Sequence, residues 1–311
     1  MYNACMKKVG FLYDDVFLSH EAPQWHPETQ ERLKALLVRV KSSGLWDKLE
    51  HISPQKAELS DIEAVHTPDY ITMLQNARPG NLDPDTYISA NSFEAALFAA
   101  GAINEAIKTC YEGKVSRAFC AVRPPGHHAE ANRAMGFCLF NNVAVGARYA
   151  QKKGYKKVFI ADFDVHHGNG TEHMFYDDDT VFYFSTHQYP HYPGTGSEQE
   201  TGKGKGEGYT YNIPMAQGSG DKQYMEAYND ILHGLINNFD PDIFLVSAGY
   251  DLHANDPLAG IRVSDEGIRS IISGILTSKK DIPYVFTLEG GYDLQALGNS
   301  VVITLEEMLK D

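Results

Sequence analysis

Five short apolar runs recur along this chain and leave it little freedom of architecture: Ala118–Val122, Lys157–Ala161, Val181–Ser185, Asp242–Ser247 and Tyr284–Leu288. Each is rich in β-branched and aromatic residues and mostly lacks polar alternation, which is how a strand buried on both faces of a parallel sheet reads. Segments with helical spacing lie between them: Ser92–Glu112, Asn141–Lys153, Asp221–Asn238 and Asp265–Lys279. Ser92 is placed to cap the first, Gly113 and Gly154 to end the first two, and an acidic residue opens each of the last two. Strand and helix in alternation predict an α/β fold, a single doubly wound, mainly parallel sheet with helices on both faces. Sites in such sheets lie outside the carboxyl ends of the strands.

No repeat, low-complexity block or long linker divides the 311 residues, so one domain over 1–311 is expected. The glycine-dense stretch Gly194–Gly208 reads as a mobile surface loop. Cys5, Cys110, Cys120 and Cys138 form no CxxC pair, which argues against a disulfide framework or a cysteine zinc site and for a reducing compartment. The opening Met1–Gly10 leads into an apolar stretch too short for a signal peptide, and no run reaches membrane-spanning length. A soluble, cytoplasmic protein is expected. A formal net charge of −14 speaks against direct nucleic-acid binding, which needs a basic face. It would favour a cationic substrate, although solubility alone accounts for the total.

The predicted strand ends carry the chemistry. Arg123-Pro124-Pro125-Gly126-His127-His128 follows the first run, and Asp162-Phe163-Asp164-Val165-His166-His167-Gly168-Asn169-Gly170 the second. Ala248-Gly249-Tyr250-Asp251 follows the fourth and Glu289-Gly290-Gly291-Tyr292 the fifth. In an extended chain Asp162, Asp164 and His166 would share one face. Carboxylates and an imidazole held together in this way call for a cation among them. With Asp251 arriving from another strand, the set suits a catalytic Zn²⁺ with open positions, since closed structural sites favour cysteine. The same ligands also suit iron, cobalt or manganese.

His127 and His128 follow a turn set by two prolines, and read as a surface loop, as a metal site using one of them, or as an acid/base pair beside the metal. Asp162 and Asn169 are available to fix their tautomers. Tyr292, after two glycines, is either a core aromatic or a phenol that polarises a carbonyl opposite the metal.

Together these phrases resemble the histone deacetylase superfamily, which includes acetylpolyamine amidohydrolases and related bacterial deacetylases. The matching segments are Arg123–Glu130, Gly136–Asn142, Asp162–Gly170, Pro193–Gly196, Ser247–Leu258 and Leu288–Tyr292, with His26-Pro27-Glu28 to Arg32 as an early loop. Asn169 and the Glu-Gly-Gly-Tyr phrase are similar to the class II branch. The resemblance implies the arginase–deacetylase type of sheet and a metal held by Asp164, His166 and Asp251. It implies His128 as general base and acid, His127 as electrostatic catalyst, and Asp162 and Asn169 as their partners. Many relatives carry Asp where Asn169 stands, which would weaken the charge support of His128 here. Tyr292 matches the tyrosine that binds the scissile carbonyl.

By the same resemblance Phe137, after Gly136, forms one wall of an acyl-lysine tunnel, and Tyr192 stands where the opposite wall is usually Phe. Asp85 matches a rim carboxylate, and Arg32 the inner end where acetate leaves. Structural potassium is implied at Asp162, Asp164, His166, Ser185 and Thr186, and at Phe175, Asp178, Val181 and Tyr209.

The expected activity is therefore zinc-dependent hydrolysis of an acetylated lysine side chain. Leu258 occupies the gatekeeper position where polyamine-selective relatives tend to carry Glu, and an apolar gatekeeper leaves a second ammonium unpaired. Asp14, Asp15 and Glu21 could instead serve a small acetylated amine such as an acetylpolyamine. A catalytically weak acyl-lysine binding module is the other reading. An arginase-type dinuclear manganese site would need a second ligand set, which the sequence does not display.

Overall fold

The computed structural model describes residues 8–310; Cys5 and residues 1–7 of the opening segment lie outside the described residues. Its strands are β1 (Val9–Leu12), β2 (Glu50–Ile52), β3 (Gly80–Asn81), β4 (Tyr87–Ile88), β5 (Arg117–Cys120), β6 (Val158–Asp162), β7 (Val181–Gln188), β8 (Thr210–Met215), β9 (Ile243–Ala248) and β10 (Tyr284–Leu288). Eight form one sheet in the order β2-β1-β5-β10-β9-β6-β7-β8, parallel at every pairing. Among the described residues, only the strands β3 and β4 stand apart, as an antiparallel pair.

All five predicted runs are strands: Tyr284–Leu288 is matched end to end, and the other four differ by one to three residues at one or both ends. Every residue of β5, β6, β7, β9 and β10 is buried, so both sheet faces are covered. The edges β2 and β8 escaped the sequence reading because edges do not look like buried runs. Glu50 and His51 of β2 are exposed, and β8 alternates in burial and carries Pro214.

The helices are α1 (Gln30–Ser42), α2 (Leu59–Ile62), α3 (Pro68–Gln75), α4 (Ser92–Tyr111), α5 (Asn142–Lys153), α6 (Asn169–Phe175), α7 (Asp221–Glu226), α8 (Leu232–Phe239), α9 (Asp265–Thr277) and α10 (Leu294–Met308). They pack in two groups, α4 with α5, and α1, α10, α9 and α7 in succession. The expected helix Asp221–Asn238 is α7 and α8 joined by a π turn at Ala227–Ile231. Ser92 is the first helical residue rather than the cap; its hydroxyl meets the Ser89 amide and the His20 ring instead. No helix of the described residues is long and apolar enough to cross a membrane.

The Gly194–Gly208 loop is fastened rather than loose. The Glu200 carboxylate accepts from the Gly196 and Ser197 amides, His187 Nε2 reaches the Gly196 carbonyl, and Thr195 meets His167. Carboxylate and imidazole partners from outside the glycines do what the local composition did not foretell.

A buried histidine ties the helical layer to the loop after β5. Because the Glu130 carbonyl can only accept, His66 Nδ1 donates to it at 3.0 Å, and Nε2 accepts from the Asn141 amide at 2.9 Å. Asn141 in turn caps α5 through the Ala144 amide at 3.0 Å. Both ring nitrogens are satisfied only in the neutral form, and burial lowers the His66 pKa to about 4. An unfolded histidine titrates near 6.5. Between those values the unfolded chain holds a proton that the folded one lacks, so stability is full above pH 6.5 and falls as pH drops toward 4. This group alone should remove about 1.4 kcal/mol per pH unit across that window. Urea unfolding of His66→Gln should show a shallower pH slope by that amount; identical slopes would refute the assignment.

Candidate active site

Four adjacent strands, β5, β10, β9 and β6, deliver their carboxyl ends to one place. Leaving β6, the chain bends at once: Asp162 Oδ1 accepts from the Asp164 amide at 3.1 Å and Asp164 Oδ1 from the His166 amide at 2.9 Å. The expectation that Asp162, Asp164 and His166 line one extended face is therefore corrected, because the bend sends them apart. Asp162 Oδ2 meets His127 Nδ1 at 3.0 Å and the Tyr183 hydroxyl at 3.2 Å. Asp164 and His166 turn toward Asp251, whose Oδ1 accepts from the Val165 amide at 3.0 Å.

Among the described residues, Asp164, His166 and Asp251 are the acidic and imidazole group whose ligand atoms lie within 4.8 Å of one another. His166 Nδ1 is 3.1 Å from Asp164 Oδ1 and 3.2 Å from Asp251 Oδ2. Asp251 Oδ2 is buried without a hydrogen-bond partner. Burial and the neighbouring Asp164 raise the Asp251 carboxyl to about 7. An unsatisfied carboxylate oxygen beside a second carboxylate and an imidazole fits a divalent cation, and oxygen and nitrogen donors suit zinc, iron or cobalt. Two glycines keep the space clear. A Cβ on Gly290 would stand 2.1 Å from Asp251 Oδ2 and 2.6 Å from Asp164 Oδ2, and one on Gly249 2.0 Å from Asp164 Oδ2.

The tandem histidines lie beside this group, their rings 4.0 Å apart. Burial works against a charge on His127, but Asp162 and Asp164 outweigh it and raise its pKa to about 10. His128 goes the other way: burial, then the positive field of His127, hold it well below the usual histidine value. Its Nδ1 faces Asn169 Oδ1 at 2.8 Å. Neighbouring imidazoles pushed to opposite charge states are what divided acid/base and electrostatic roles require. Glu289 fixes the turn beneath them, Oε2 accepting from the Gly126 and His127 amides at 2.6 and 3.2 Å and Oε1 from the Ser247 hydroxyl at 3.1 Å.

A cavity of about 200 Å³ opens onto this centre. Its lining brings together His127, His128, His166 and Tyr292 with all the expected substrate-binding residues, Asp85, Gly136, Phe137, Tyr192 and Leu258, and adds Pro125, His191 and Gly290. Phe137 sits at φ 68°, after Gly136 at φ 56°. That unusual turn is held by Asp85 Oδ1 and Thr86 Oγ1, which accept from the two amides at 3.2 and 3.1 Å. The Phe137 ring meets the edge of Tyr292, and Tyr192 stands over His128 with ring centres 5.2 Å apart. Asp14, Asp15 and Glu21 do not line the cavity; Asp14 caps the Val16 amide and Asp15 accepts from the Tyr13 hydroxyl.

Tyr292 is anchored from two sides. Asp256 Oδ2 accepts from its amide at 2.6 Å and from that of Asp293 at 3.1 Å. Arg32, fully buried, donates to the Gly291 and Glu289 carbonyls at 2.7 and 2.5 Å and lies 4.9 Å from the phenol ring centre. Burial raises the Tyr292 phenol well above its usual pKa, against the Arg32 charge, so it remains an O–H donor. Asp256, Glu289, Glu130 and His191 were given no role from the sequence. The nearest signal was their place inside or beside the quoted phrases.

Of the residues tied to potassium, Ser185 and Thr186 lie near the centre on β7, where Ser185 meets His187 at 2.9 Å and Thr186 the Tyr228 hydroxyl at 2.9 Å. Phe175, Asp178, Val181 and Tyr209 gather around the start of β7, away from the cavity lining; there Asp178 pairs with Arg148 at 2.7 Å. A larger cleft, about 760 Å³, lies at the opposite ends of the strands, among Lys8, Arg117 and Tyr284. It includes none of the strand-end chemistry.

Comparison with known proteins agrees with this geometry. Residues 26–308 match the model described as the histone deacetylase domain. A probable deacetylase of Archaeoglobus fulgidus is 38% identical, the alignment covering 92% of this chain and 82% of the relative. One from Methanothermobacter thermautotrophicus is 42% identical over 88% and 83%. Histone deacetylase 5 of Arabidopsis thaliana is 36% identical, and this chain, covered to 98%, spans about half (49%) of it. The crystal structure of the HDA15 HD domain superposes with a TM-score of 0.93 at 34% identity, covering 98% of this chain and 89% of that one.

The glycine cradle makes a sharp test of the cation site. Gly290→Ala drives a methyl group into both carboxylates and should reduce bound metal, measured by elemental analysis after zinc loading and dialysis, to below about a tenth of the wild-type stoichiometry. Full metal content in a folded Gly290→Ala protein would refute the assignment.

Proposed function

Because this chain belongs to the histone deacetylase family, as the match over residues 26–308 and the archaeal relatives show, we propose that it is a zinc-dependent deacetylase acting on acetyl-lysine in proteins or peptides. Residues 1–311 would form a single catalytic domain. The observation that carries the substrate assignment is the cavity: Phe137, Tyr192 and Leu258 line it, and it reaches His166, one of the group Asp164, His166 and Asp251. Its apolar walls suit the methylene stem of an acyl-lysine, and Asp85 offers a carboxylate to the substrate's backbone amide. Of the acidic residues that could have served a polyamine, none lines the cavity, and Asp14 and Asp15 are engaged elsewhere.

A divalent cation held by Asp164, His166 and Asp251, with iron or cobalt as alternatives to zinc, would supply Lewis acidity toward the carbonyl and lower the pKa of water. His128, neutral, takes the proton from the attacking water and returns it to the leaving amine. Tyr292 donates its O–H to the developing oxyanion, a contribution commonly worth about 3 kcal/mol per donor. His127, held cationic by Asp162, adds positive field. Arg32 marks the inner end from which acetate departs. Structural potassium at Asp162, Asp164, His166, Ser185 and Thr186, and at Phe175, Asp178, Val181 and Tyr209, belongs to the same proposal, supported at the first place by the burial of Asp162 and Asp164 side by side with two hydroxyls. A cytoplasmic location is supported by the free thiols of Cys110, Cys120 and Cys138.

His128→Ala and Tyr292→Phe should each lower kcat by about a hundredfold or more while KM moves little, since both groups act on the transition state. In the same assays kcat/KM on acetyl-lysine peptides should exceed that on N-acetylputrescine and N-acetylspermidine by at least about tenfold, the scale on which an apolar pocket discriminates. A preference for the polyamines would overturn the substrate, and metal-loaded protein without turnover would leave an acyl-lysine binding module.

A further inference from the structure

His128 is backed by an amide where a carboxylate would give direct charge support, yet an anion stands one residue further on. Asn169, at the first turn of α6, presents Oδ1 to His128 Nδ1 at 2.8 Å. Its Nδ2 faces Glu130 Oε1 at 2.5 Å and the His128 carbonyl at 3.3 Å. Both of those oxygens only accept, so the orientation of the amide is determined: nitrogen toward Glu130, oxygen toward the imidazole. The proton between His128 and Asn169 must then sit on Nδ1, which leaves Nε2 as the unprotonated nitrogen.

Glu130 is itself fixed. Its carbonyl accepts from His66 at 3.0 Å and its amide donates to the Arg133 carbonyl at 2.9 Å. On its outer side His173 Nδ1 lies 2.9 and 3.1 Å from the two carboxylate oxygens. The His173 side chain is 48% exposed and that of Glu130 14%, so the pair links the surface to the buried amide. If Glu130 served only as a surface ion pair, its carboxylate would have no reason to turn inward onto Asn169.

We propose that Glu130 is a positioning residue for the deacetylation reaction: acting through Asn169, it orients and polarises the amide that holds His128 in the Nδ1–H tautomer. This rests on the reading of His128 as the general base. A carboxylate on His128 has been moved outward by one residue, with an amide inserted between charge and ring.

The test is a reciprocal exchange in the zinc-loaded enzyme. Glu130→Ala should lower kcat about tenfold with KM within threefold. Asn169→Asp alone sets two carboxylates against each other and should also lose activity. Glu130→Gln combined with Asn169→Asp restores an anion on His128 with an amide donor behind it, and should recover kcat to within about threefold of wild type. Nitrogen-15 NMR of the His128 ring in metal-free protein gives a readout independent of turnover: the Nδ1–H form in wild type and the double variant, a tautomer mixture in Glu130→Ala. Wild-type kcat in Glu130→Ala, an effect on KM alone, additive losses in the double variant, or an unchanged tautomer would each overturn the proposal. Absence of wild-type turnover, or activity retained in His128→Ala, would instead overturn the deacetylase reading, while the NMR comparison would still decide the role of Glu130.

Discussion

Negative charge buried at the carboxyl ends of the central strands is the constraint around which this molecule is organised. Glu28, Asp162, Asp164, Asp251 and Glu289 are all essentially inaccessible to water. An ionised carboxylate in such surroundings is strongly disfavoured unless something donates to it or a positive charge lies beside it. Each has a distinct answer. Glu28 sits between Arg123 and Arg32, whose charges hold its pKa well below the carboxylate norm despite burial. Asp162 has His127 and the Tyr183 hydroxyl, and Glu289 has two backbone amides and a serine. Asp164 has the Gly290 amide. Asp251 is the one of the five with an oxygen that accepts no hydrogen bond, the His166 ring lying 3.2 Å from it, and that is where a cation's charge would be best used.

The same pairings explain why the strand-end loops keep their shapes. The Arg32 guanidinium binds the carbonyls of Glu289 and Gly291, Asp256 takes the amides that follow, and Asp164 takes that of Gly290. The Glu-Gly-Gly-Tyr turn is thus held along its whole length although two glycines give it little stiffness of its own. Gly290 and Gly249 are needed for space, since a methyl group at either would meet a carboxylate. Precision at the centre therefore comes from charged side chains gripping backbone rather than from loop rigidity.

Much of this was legible in the sequence, and the reason is local. A strand buried on both faces announces itself by composition, and residues immediately after it must stand at the sheet's edge, so His127, His128, Asp164, Asp251 and Tyr292 could be gathered before any fold was known. What escaped depended on direction or on distance. The shared face assigned to Asp162, Asp164 and His166 assumed that β6 continues, whereas side-chain-to-amide bonds bend the chain directly after Asp162. Glu289 and Gly126 are 163 positions apart, and no periodicity connects a carboxylate to an amide it will accept from. The edge strands β2 and β8 were invisible because solvent on one side permits polar residues there.

Two imidazoles adjacent in sequence and 4.0 Å apart cannot share one charge state when only one of them has a carboxylate directly behind it. Asp162 makes His127 the cheaper site for the proton. Once His127 is positive, its field adds to burial in keeping His128 neutral. A carboxylate in direct contact with His128 would also draw positive charge toward that ring. An amide does not, because it accepts from Nδ1 without carrying net charge. The cost is that an amide can turn over, exchanging its donor for its acceptor, and a turned amide would reverse the tautomer. Holding it requires an acceptor on its nitrogen side that is itself fixed, which is what Glu130 offers, pinned by His66 through its carbonyl. The asymmetry between Asp162 and Asn169 thus separates the two histidines' roles, and the buried His66, which does not itself line the cavity, becomes part of what keeps them separate.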